Sequence, residues 1–238
     1  MAKMLAVVAH PVKAPAGRAG NIADDDRRKA MSARPDRPKL SNPGPVLTGP
    51  RVTLRQLYDD DFDQWSEVRE RCADWLVKWE PLPTVPRSDS GDRRVFVARC
   101  GARERERQLG SAYGFGIFVG SRFAGEINLS SIQRGPFQNA YMGYWIDQAL
   151  AGRGYTPEAA ILALRFAFED LGLHRVQVSI IPRNLPSRRV AEKLGLREEG
   201  TAVGYLEIAG KWENHIRYAI TAEEWTQRYD QYRADWLE

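Results

Sequence analysis

The fold is decided by residues 141–158, YMGYWIDQALAGRGYTPE, in which a strand runs into a loop and then into a helix. A helix start leaves its first amides unpaired and carries the positive end of the macrodipole, so phosphate is a natural ligand there. Gly152 and Gly154 lack the Cβ atoms that would keep a pyrophosphate from the backbone, and Arg153 adds charge. The stretch predicts a phosphate-binding loop, although a plain glycine loop before a helix shares this local pattern.

The sequence of the loop also argues against two common phosphate-containing ligands, ATP and a dinucleotide. It lacks the Lys-Ser/Thr pair that ends an ATP-binding P-loop, and it is shorter than the dinucleotide fingerprint. Gly143 lies inside the preceding strand, where glycine often marks a bulge. A bulge there would part this strand from the strand at 176–181, and the opened backbone would suit an extended amide arm such as pantetheine. The alternative is that Gly143 only makes room for Trp145.

Outward from this stretch, the pattern predicts an α+β fold with a mixed sheet. We expect strands at 52–55, 95–98, 113–119, 122–129, 140–146, 176–181, 205–208 and 212–220. We expect helices near 62–69, 75–79, 156–171 and 185–194, and one that opens on a capping box at Thr221. Residues 99–108 read as a charged connector.

Composition and charge set the broad class of the protein. Of 35 basic and 31 acidic residues, nine and four lie in residues 1–48, so the remainder carries 26 basic and 27 acidic groups. The net charge of +4 therefore belongs to the first segment and is no argument for nucleic-acid binding by the rest. Cys72 and Cys100 have no metal-ligand spacing, and we expect no metal. No apolar run is long enough to span a membrane, so the expected location is cytoplasmic.

Two regions are expected along the chain. Residues 1–48 are rich in proline, contain no aromatic residue and show no periodicity, which predicts a disordered basic extension. A start assigned too early, with Met31 as the true initiator, is the alternative. Residues 49–238 are expected to form the folded domain.

Several segments in order resemble the GNAT superfamily of N-acetyltransferases, and most closely its RimJ/RimL-type ribosomal-protein N-terminal acetyltransferases. The segments are YWID at 144–147, GRGY at 152–155, LGLHRV at 171–176, NLPS at 184–187, EKLGL at 192–196 and WLVKWEP at 75–81. The resemblance implies a GNAT-like, mostly antiparallel central sheet with a splayed parallel strand pair, flanked by helices. It also implies acetyl-CoA as cosubstrate.

By this resemblance, the cofactor-binding residues are those of the loop, the splayed strand and the following short helix. They are Tyr144, Trp145, Ile146, Ala151, Gly152, Arg153, Gly154, Tyr155, Thr156, Asn184 and Ser187. Two departures matter: Ala149 replaces the Gln or Arg that usually opens the loop, and Ala191 replaces the tyrosine that many members use as general acid.

Catalysis needs a proton for the departing thiolate, a donor for the oxyanion and a base. Ser187 is expected to protonate the thiolate, although it could equally cap a helix. A backbone N–H near residues 144–146 would meet the oxyanion. Glu126 is a candidate base because it points away from Ile127 and Leu129; Glu207, Glu213 and deprotonation through water remain open.

The acceptor is expected to be the N-terminal α-amine of a protein, with a ribosomal protein suggested by the resemblance. The candidate substrate-binding residues are Trp75, Trp79, Glu126 and Asn128. The alternatives are a small-molecule acetyltransferase acting on antibiotics, polyamines or amino acids, and a non-catalytic module that only binds the cofactor. The chain is expected to be a monomer or a homodimer.

Overall fold

The computed structural model describes residues 44–82 and 91–238, in which eight strands form one sheet. The strands are β1 (Leu47–Thr48), β2 (Val52–Arg55), β3 (Tyr113–Val119), β4 (Arg122–Gln133), β5 (Asn139–Ile146), β6 (Arg175–Ile180), β7 (Arg197–Ile208) and β8 (Lys211–Thr221). Their spatial order is β1-β2-β3-β4-β5-β6-β8-β7.

Within the described residues, six α-helices flank this sheet: α1 (Phe62–Arg71), α2 (Ala73–Leu76), α3 (Arg93–Gln108), α4 (Tyr155–Arg165), α5 (Leu185–Lys193) and α6 (Ala222–Trp236). A π-helical turn, Phe166–Asp170, extends α4. Short 3₁₀ turns occur at Asp59–Asp61, Val77–Trp79 and Gln148–Leu150. The predicted α+β class with a mixed, mostly antiparallel sheet is confirmed.

β5 and β6 are the parallel pair of this sheet, and they separate early. Their register joins Asn139 to Arg175, Ala140 to Val176 and Tyr141 to Gln177, and then stops. The predicted splay of these two strands is therefore confirmed.

The predicted bulge at Gly143 is wrong. The β4–β5 register is regular from Gly125 opposite Ile146 to Ser130 opposite Tyr141, and its irregularity lies between Ser130 and Gln133. A Cβ on Gly143 would lie 3.0 Å from Oδ1 of Asn128, and that oxygen accepts a hydrogen bond from Gly143 N at 3.1 Å. Gly143 thus allows the Asn128 side chain to approach the backbone.

Two hydrophobic clusters lie on opposite faces of the sheet, because successive strand residues alternate between them. Ile117 and Ala124 belong to the cluster under α4, α5 and α6, whereas Phe118 and Phe123 belong to the cluster under α1, α2 and α3. Nine consecutive residues of α4, 156–164, are buried. The loop before α4 is therefore held at the end of a helix that is embedded in the core.

Residues 93–108 are helical, so the predicted strand at 95–98 and the connector at 99–108 are wrong. Phe96, Cys100 and Arg103 are buried at the spacing of one helix face, and Asp92 caps the helix by accepting a hydrogen bond from Arg94 N at 2.8 Å. The β-branched Val95 and Val97 favour a strand locally, but both point outward and are exposed. Packing of the buried face therefore outweighs their intrinsic preference.

The C-terminal end of the chain matches the prediction, whereas the predicted disordered segment 1–48 is wrong at its last two residues, which form β1. The capping box at Thr221 is present: its Oγ1 accepts from Glu224 N at 3.4 Å, and its N–H donates to Glu224 Oε2 at 2.9 Å. Most of the extension predicted for residues 1–48 lies outside the described residues, while Leu47 and Thr48 pair with β2. Across residues 44–82 and 91–238, no helix is both long and apolar enough to cross a membrane.

Glu126 lies on the face of β4 opposite Ile127, as predicted, but that face is covered by α1 and α3. Its carboxylate is paired with Arg99 Nη2 at 2.5 Å and Arg103 Nη2 at 2.9 Å, and accepts from Trp65 Nε1 at 2.8 Å. Burial opposes the charge, yet the two guanidinium groups hold the pKa of Glu126 down at about 2. A carboxylate so buried and so acidic is unsuited to the predicted roles of general base and substrate ligand.

The buried Glu126 network predicts a large loss of stability when its charge is removed. Glu126→Gln would leave two guanidinium groups beside a neutral amide, and breaking a buried pair of this kind costs about 3 kcal/mol. The free energy of unfolding in urea measures the loss. Glu67→Gln is the control, because Glu67 pairs with Arg71 while 70% exposed and its loss should cost less than about 0.5 kcal/mol.

The same network predicts a pH dependence with a definite sign. Because the pKa of Glu126 is about 2 in the folded chain and 4.5 in the reference state, its ionised form stabilises the fold at higher pH. This contribution is lost as the pH falls from about 4.5 towards 2. Equal unfolding curves for wild type and Glu126→Gln at neutral pH would contradict the assignment of Glu126 as an ionised group that stabilises the fold.

Candidate active site

The loop between β5 and α4 has the backbone that anion binding requires. Gly152 and Gly154 have φ values of 79° and 86°, in the left-handed region where side chains other than glycine are strained. Gly154 is also the N-cap of α4, and no side chain caps that helix end. A Cβ on Gly152 would meet no atom within 4 Å, so this side of the loop is open. The first amides of α4 are thus available to an anion.

An ion pair between a half-exposed arginine and a buried carboxylate fixes the loop to β2. Glu158, in the first turn of α4, is fully buried, and its Oε1 accepts from the backbone N–H groups of Arg51 and Val52 at 2.8 and 3.0 Å. Arg51 Nε donates to Glu158 Oε2 at 2.7 Å. The same guanidinium donates to the carbonyls of Arg153 at 3.1 Å and Gly154 at 3.4 Å. Arg51 therefore holds two carbonyls of the loop in place.

A second connection fixes the start of the loop to the end of α1. Asp147 Oδ1 accepts from Ala149 N at 3.0 Å and lies 3.3 Å from Sγ of Cys72, while Oδ2 accepts from Arg71 Nη2 at 2.6 Å. Burial disfavours the carboxylate, but the hydrogen bonds from Arg71 and Ala149 outweigh it and lower the pKa of Asp147. The resemblance expects a long polar side chain at position 149. Here Ala149 instead contributes its backbone N–H, which donates to Asp147 and so helps to fix the start of the loop.

Three of the predicted cofactor residues come together beside the splayed strands. Asn184 is the N-cap of α5, and its side chain accepts from Ser187 N at 3.3 Å. The Ser187 hydroxyl lies 3.2 Å from the hydroxyl of Tyr144, which in turn lies 3.2 Å from the Ser187 carbonyl oxygen. Burial raises the pKa of Tyr144 to about 12, against the opposing hydrogen bond of Ser187. The alternative role of Ser187 as a helix cap is not seen, because Asn184 takes that position.

The aromatic residues predicted to contact the substrate are divided between two environments. Trp75 packs against the cluster under α1, α2 and α3. Trp79 faces the β7–β8 hairpin, with the guanidinium of Arg183 5.3 Å from its ring centroid. Arg183 Nη2 also pairs with Glu213 Oε1 at 2.9 Å.

The segment that carries Trp79 is fixed on both sides. Ala209 N, in the hairpin turn, donates to Glu80 O at 3.0 Å. Asn128 is half-buried and engages Gly143 on the splayed strand, whereas Glu126 lies beneath the helices. Of the four predicted substrate residues, Trp79 and Asn128 therefore keep positions that border the splay or the hairpin.

Sequence reasoning missed the residues that support the loop from behind. From the sequence, Glu158 can be identified only as an acidic residue in the first turn of a helix. Nothing in the sequence pairs it with Arg51, 107 residues away. Asp147 carries a local signal, because an aspartate side chain often accepts a hydrogen bond from the backbone N–H two residues later and so forms an Asx turn. Among the described residues no group of three or more His, Cys, Asp or Glu side chains is arranged to hold a metal ion.

Comparisons with known proteins agree with this geometry. A family model described as an acetyltransferase (GNAT) domain matches residues 51–197. A probable N-acetyltransferase of Bacillus subtilis, YjcK, is 44% identical over 74% of this chain and 96% of its own length. The [ribosomal protein uS5]-alanine N-acetyltransferase of Escherichia coli is 32% identical over 76% of this chain and 92% of its own length.

Solved structures show the same fold. Mycobacterium smegmatis RimJ, in complex with CoA-disulfide, superimposes with a TM-score of 0.75 at 30% identity, covering 80% of this chain and 92% of RimJ. The splayed parallel pair, the glycine loop that follows it and the match over residues 51–197 establish that the chain belongs to the GNAT family of acetyltransferases.

Proposed function

We propose that this chain transfers the acetyl group of acetyl-CoA to the N-terminal α-amine of a protein, with a ribosomal protein as the acceptor. The observation that carries the proposal is the early separation of β5 from β6, which leaves residues 142–146 of β5 unpaired on that side and leads directly to the glycine loop. An extended amide arm can pair with such an edge while its phosphates reach the loop. The relatives named for ribosomal-protein acetylation support the choice of acceptor.

The residues of the loop fit the phosphates of acetyl-CoA. Gly152 leaves open the space that a side chain would fill, and the first amides of α4 lack a side-chain cap. We assign the pyrophosphate to residues 151–156 and the pantetheine arm to the edge formed by residues 144–146. Asn184 lies beside this edge through its contact with Ser187. When bound, acetyl-CoA supplies the acetyl group as a thioester.

Ser187 and Tyr144 form the hydroxyl pair that we assign to proton delivery. The two oxygens are 3.2 Å apart, and because the pKa of Tyr144 is raised to about 12, its hydroxyl remains protonated throughout the neutral range. We propose that the Ser187 hydroxyl, which hydrogen-bonds to the Tyr144 hydroxyl, gives its proton to the departing sulfur and regains, through water, the proton that the acceptor amine loses. General acid catalysis of this kind contributes about 10²-fold or more to the rate.

The acceptor amine needs to lose a proton, and the described carboxylates do not offer a free base at a defined position. Glu126 is buried between two guanidinium groups, and Glu213 is paired with Arg183. Glu207 is exposed on the hairpin. We therefore propose deprotonation through water rather than by one essential carboxylate.

The charges near Trp79 favour a peptide acceptor over a small polycation. A cationic drug or polyamine would need unpaired carboxylates, but Glu213 is paired with Arg183 and Glu80 with Arg69 at 2.7 Å. The segment carrying Trp79 is joined to the hairpin by the hydrogen bond from Ala209 N to Glu80 O. A ribosomal-protein acceptor implies the cytoplasm as the place of action.

The activity is tested by incubating the full chain with acetyl-CoA and a panel of N-terminal peptides, including those of ribosomal proteins, beside a panel of aminoglycosides, polyamines and amino acids. Turnover on one or more peptides and little on the small amines is expected. Turnover on small amines alone would contradict the proposed acceptor. Tight binding of acetyl-CoA without turnover on either panel would favour a non-catalytic module.

Gly152→Ala is expected to weaken acetyl-CoA binding at least about tenfold, because a methyl group would occupy the open side of the loop. Gly172→Ala is a matched control: Gly172 is also exposed, has φ 60° and would meet no atom within 4 Å. Both changes strain a left-handed residue by about 1 kcal/mol. Calorimetric titration separates the two, and equal affinities for both variants would count against the loop assignment.

Ser187→Ala is expected to lower kcat about 100-fold while changing the KM for acetyl-CoA little, because the lost hydroxyl acts on the departing group. Ser111→Ala, at an exposed serine remote from the splay, is the control. Steady-state kinetics with the best peptide from the panel measure the effect. An unchanged kcat, or a rise in KM alone, would remove Ser187 from proton delivery.

A further inference from the structure

Arg217, on β8, lies on the face of the sheet opposite α4, α5 and α6. Val178 and Ile216 point into the cluster under those helices, so Gln177 and Arg217, which follow and precede them along their strands, point to the other face. On that face the cluster under α1, α2 and α3 contains, within the described residues, no residue of β6 or β8. The side chain of Arg217 therefore belongs to the half of this face that borders the β7–β8 hairpin.

The charge of Arg217 is not balanced by a carboxylate. Two neighbouring arginines are paired, Arg175 with Glu199 and Arg183 with Glu213 at 2.9 Å, whereas Arg217 forms no ion pair within the described part of the chain. Its side chain is half-buried, and its Nε is enclosed without a hydrogen-bond partner among the same residues. An enclosed N–H group without a partner is costly, so this guanidinium is suited to bind a ligand.

Two buried amides fix the orientation of the guanidinium. Arg217 Nη2 donates to Gln177 Oε1 at 2.5 Å, and Gln177 Nε2 donates to Asn139 Oδ1 at 2.8 Å. Gln177 and Asn139 are 2% and 0% exposed, so they have little freedom to move. Because both amides are neutral, they position the cation without compensating its charge. A carboxylate is the group that matches a guanidinium held in this way.

The strand register places Arg217 within reach of the proposed site of transfer. Arg217 is opposite Ser179, two residues beyond Gln177, which is the last residue of β6 paired with β5. Because the strand order is β5-β6-β8, two spacings of about 4.8 Å each separate β8 from β5. An extended chain advances about 3.3 Å per residue. A peptide whose amino group lies at the free edge of β5 therefore brings its second or third side chain to Arg217.

We propose that Arg217 binds the carboxylate of an aspartate or glutamate at the second or third position of the acceptor chain. This selectivity rests on the proposed acetylation of protein N-termini, and it names the class of N-terminal sequence that the site accepts. Arg217 is a specificity-determining residue and takes no part in the transfer itself. A lysine or arginine at the same position of the acceptor is repelled by the unpaired guanidinium.

Steady-state kinetics of the full chain with acetyl-CoA and a matched peptide series test the selectivity. The peptides share one N-terminal residue and carry glutamate, glutamine or lysine at the second or the third position. Wild type is expected to favour glutamate over the isosteric glutamine about tenfold in kcat/KM at one of these positions, and to use the lysine peptides least. Arg217→Gln should bring the glutamate-to-glutamine ratio to about one, with the KM for acetyl-CoA unchanged. Arg217→Lys keeps the charge and should retain part of the preference.

Arg175→Gln is the matched control, because Arg175 lies on the same face and its partner Glu199 keeps a second arginine, Arg197, at 2.9 Å. Its glutamate-to-glutamine ratio should equal that of wild type. Equal wild-type rates on the glutamate and glutamine peptides, or a preference that survives in Arg217→Gln, would overturn the role of Arg217 and leave the proposed function standing. If wild type acetylates no peptide of either series or of the wider panel, the proposed function fails and the selectivity fails with it.

Discussion

β5 and β6 share three residue pairs and then part, and the arrangement of the site depends on that separation. A parallel pair buried within a sheet normally continues its hydrogen bonds, because unpaired backbone groups in an apolar interior are costly. Here the separation leaves the β5 edge free just before the loop. The two edges lie within a sheet that is continuous on either side, so the opening is held rigid by its neighbours.

The loop at the end of this opening is positioned from both faces of the sheet. Glu158 and Arg51 join α4 and the loop carbonyls to β2, on the face covered by α4. Asp147 joins the loop's first turn to Arg71 and Cys72 of the opposite layer. The conformation of the loop is thus a property of the whole packing as well as of two glycines.

The sequence predicted those features that are encoded within a few residues. The glycine loop, the hairpin turn at Ala209 and Gly210 and the capping box at Thr221 each carry a local signal, and each has its expected structure. The splay of β5 from β6 is also present, although the bulge at Gly143 that was expected to cause it is not. The predicted strand at 95–98 failed because two exposed valines suggested a strand, whereas burial every three to four residues along α3 was the deciding pattern.

The predicted site was less complete because its supports join distant parts of the chain. Alternation along β4 correctly placed Glu126 opposite Ile127, but it could not show that α3 covers that face with Arg99 and Arg103. The sequence distinguishes the two faces of a strand, and only packing decides which face is open. For the same reason, the sequence could not show that Arg51 contacts Glu158 or that Trp236 lies close to Gly154.

The contact between Ser187 and Tyr144 brings a phenol to α5 from another part of the chain. Position 191, where the resemblance expects a tyrosine acid, is a fully buried alanine one helical turn after Ser187 and therefore on the same side of α5. Tyr144 reaches that side from β5 and lies 3.2 Å from the Ser187 hydroxyl. A phenol is thus present beside α5 although α5 does not carry it. Ala191 alone is therefore no argument for an inactive protein.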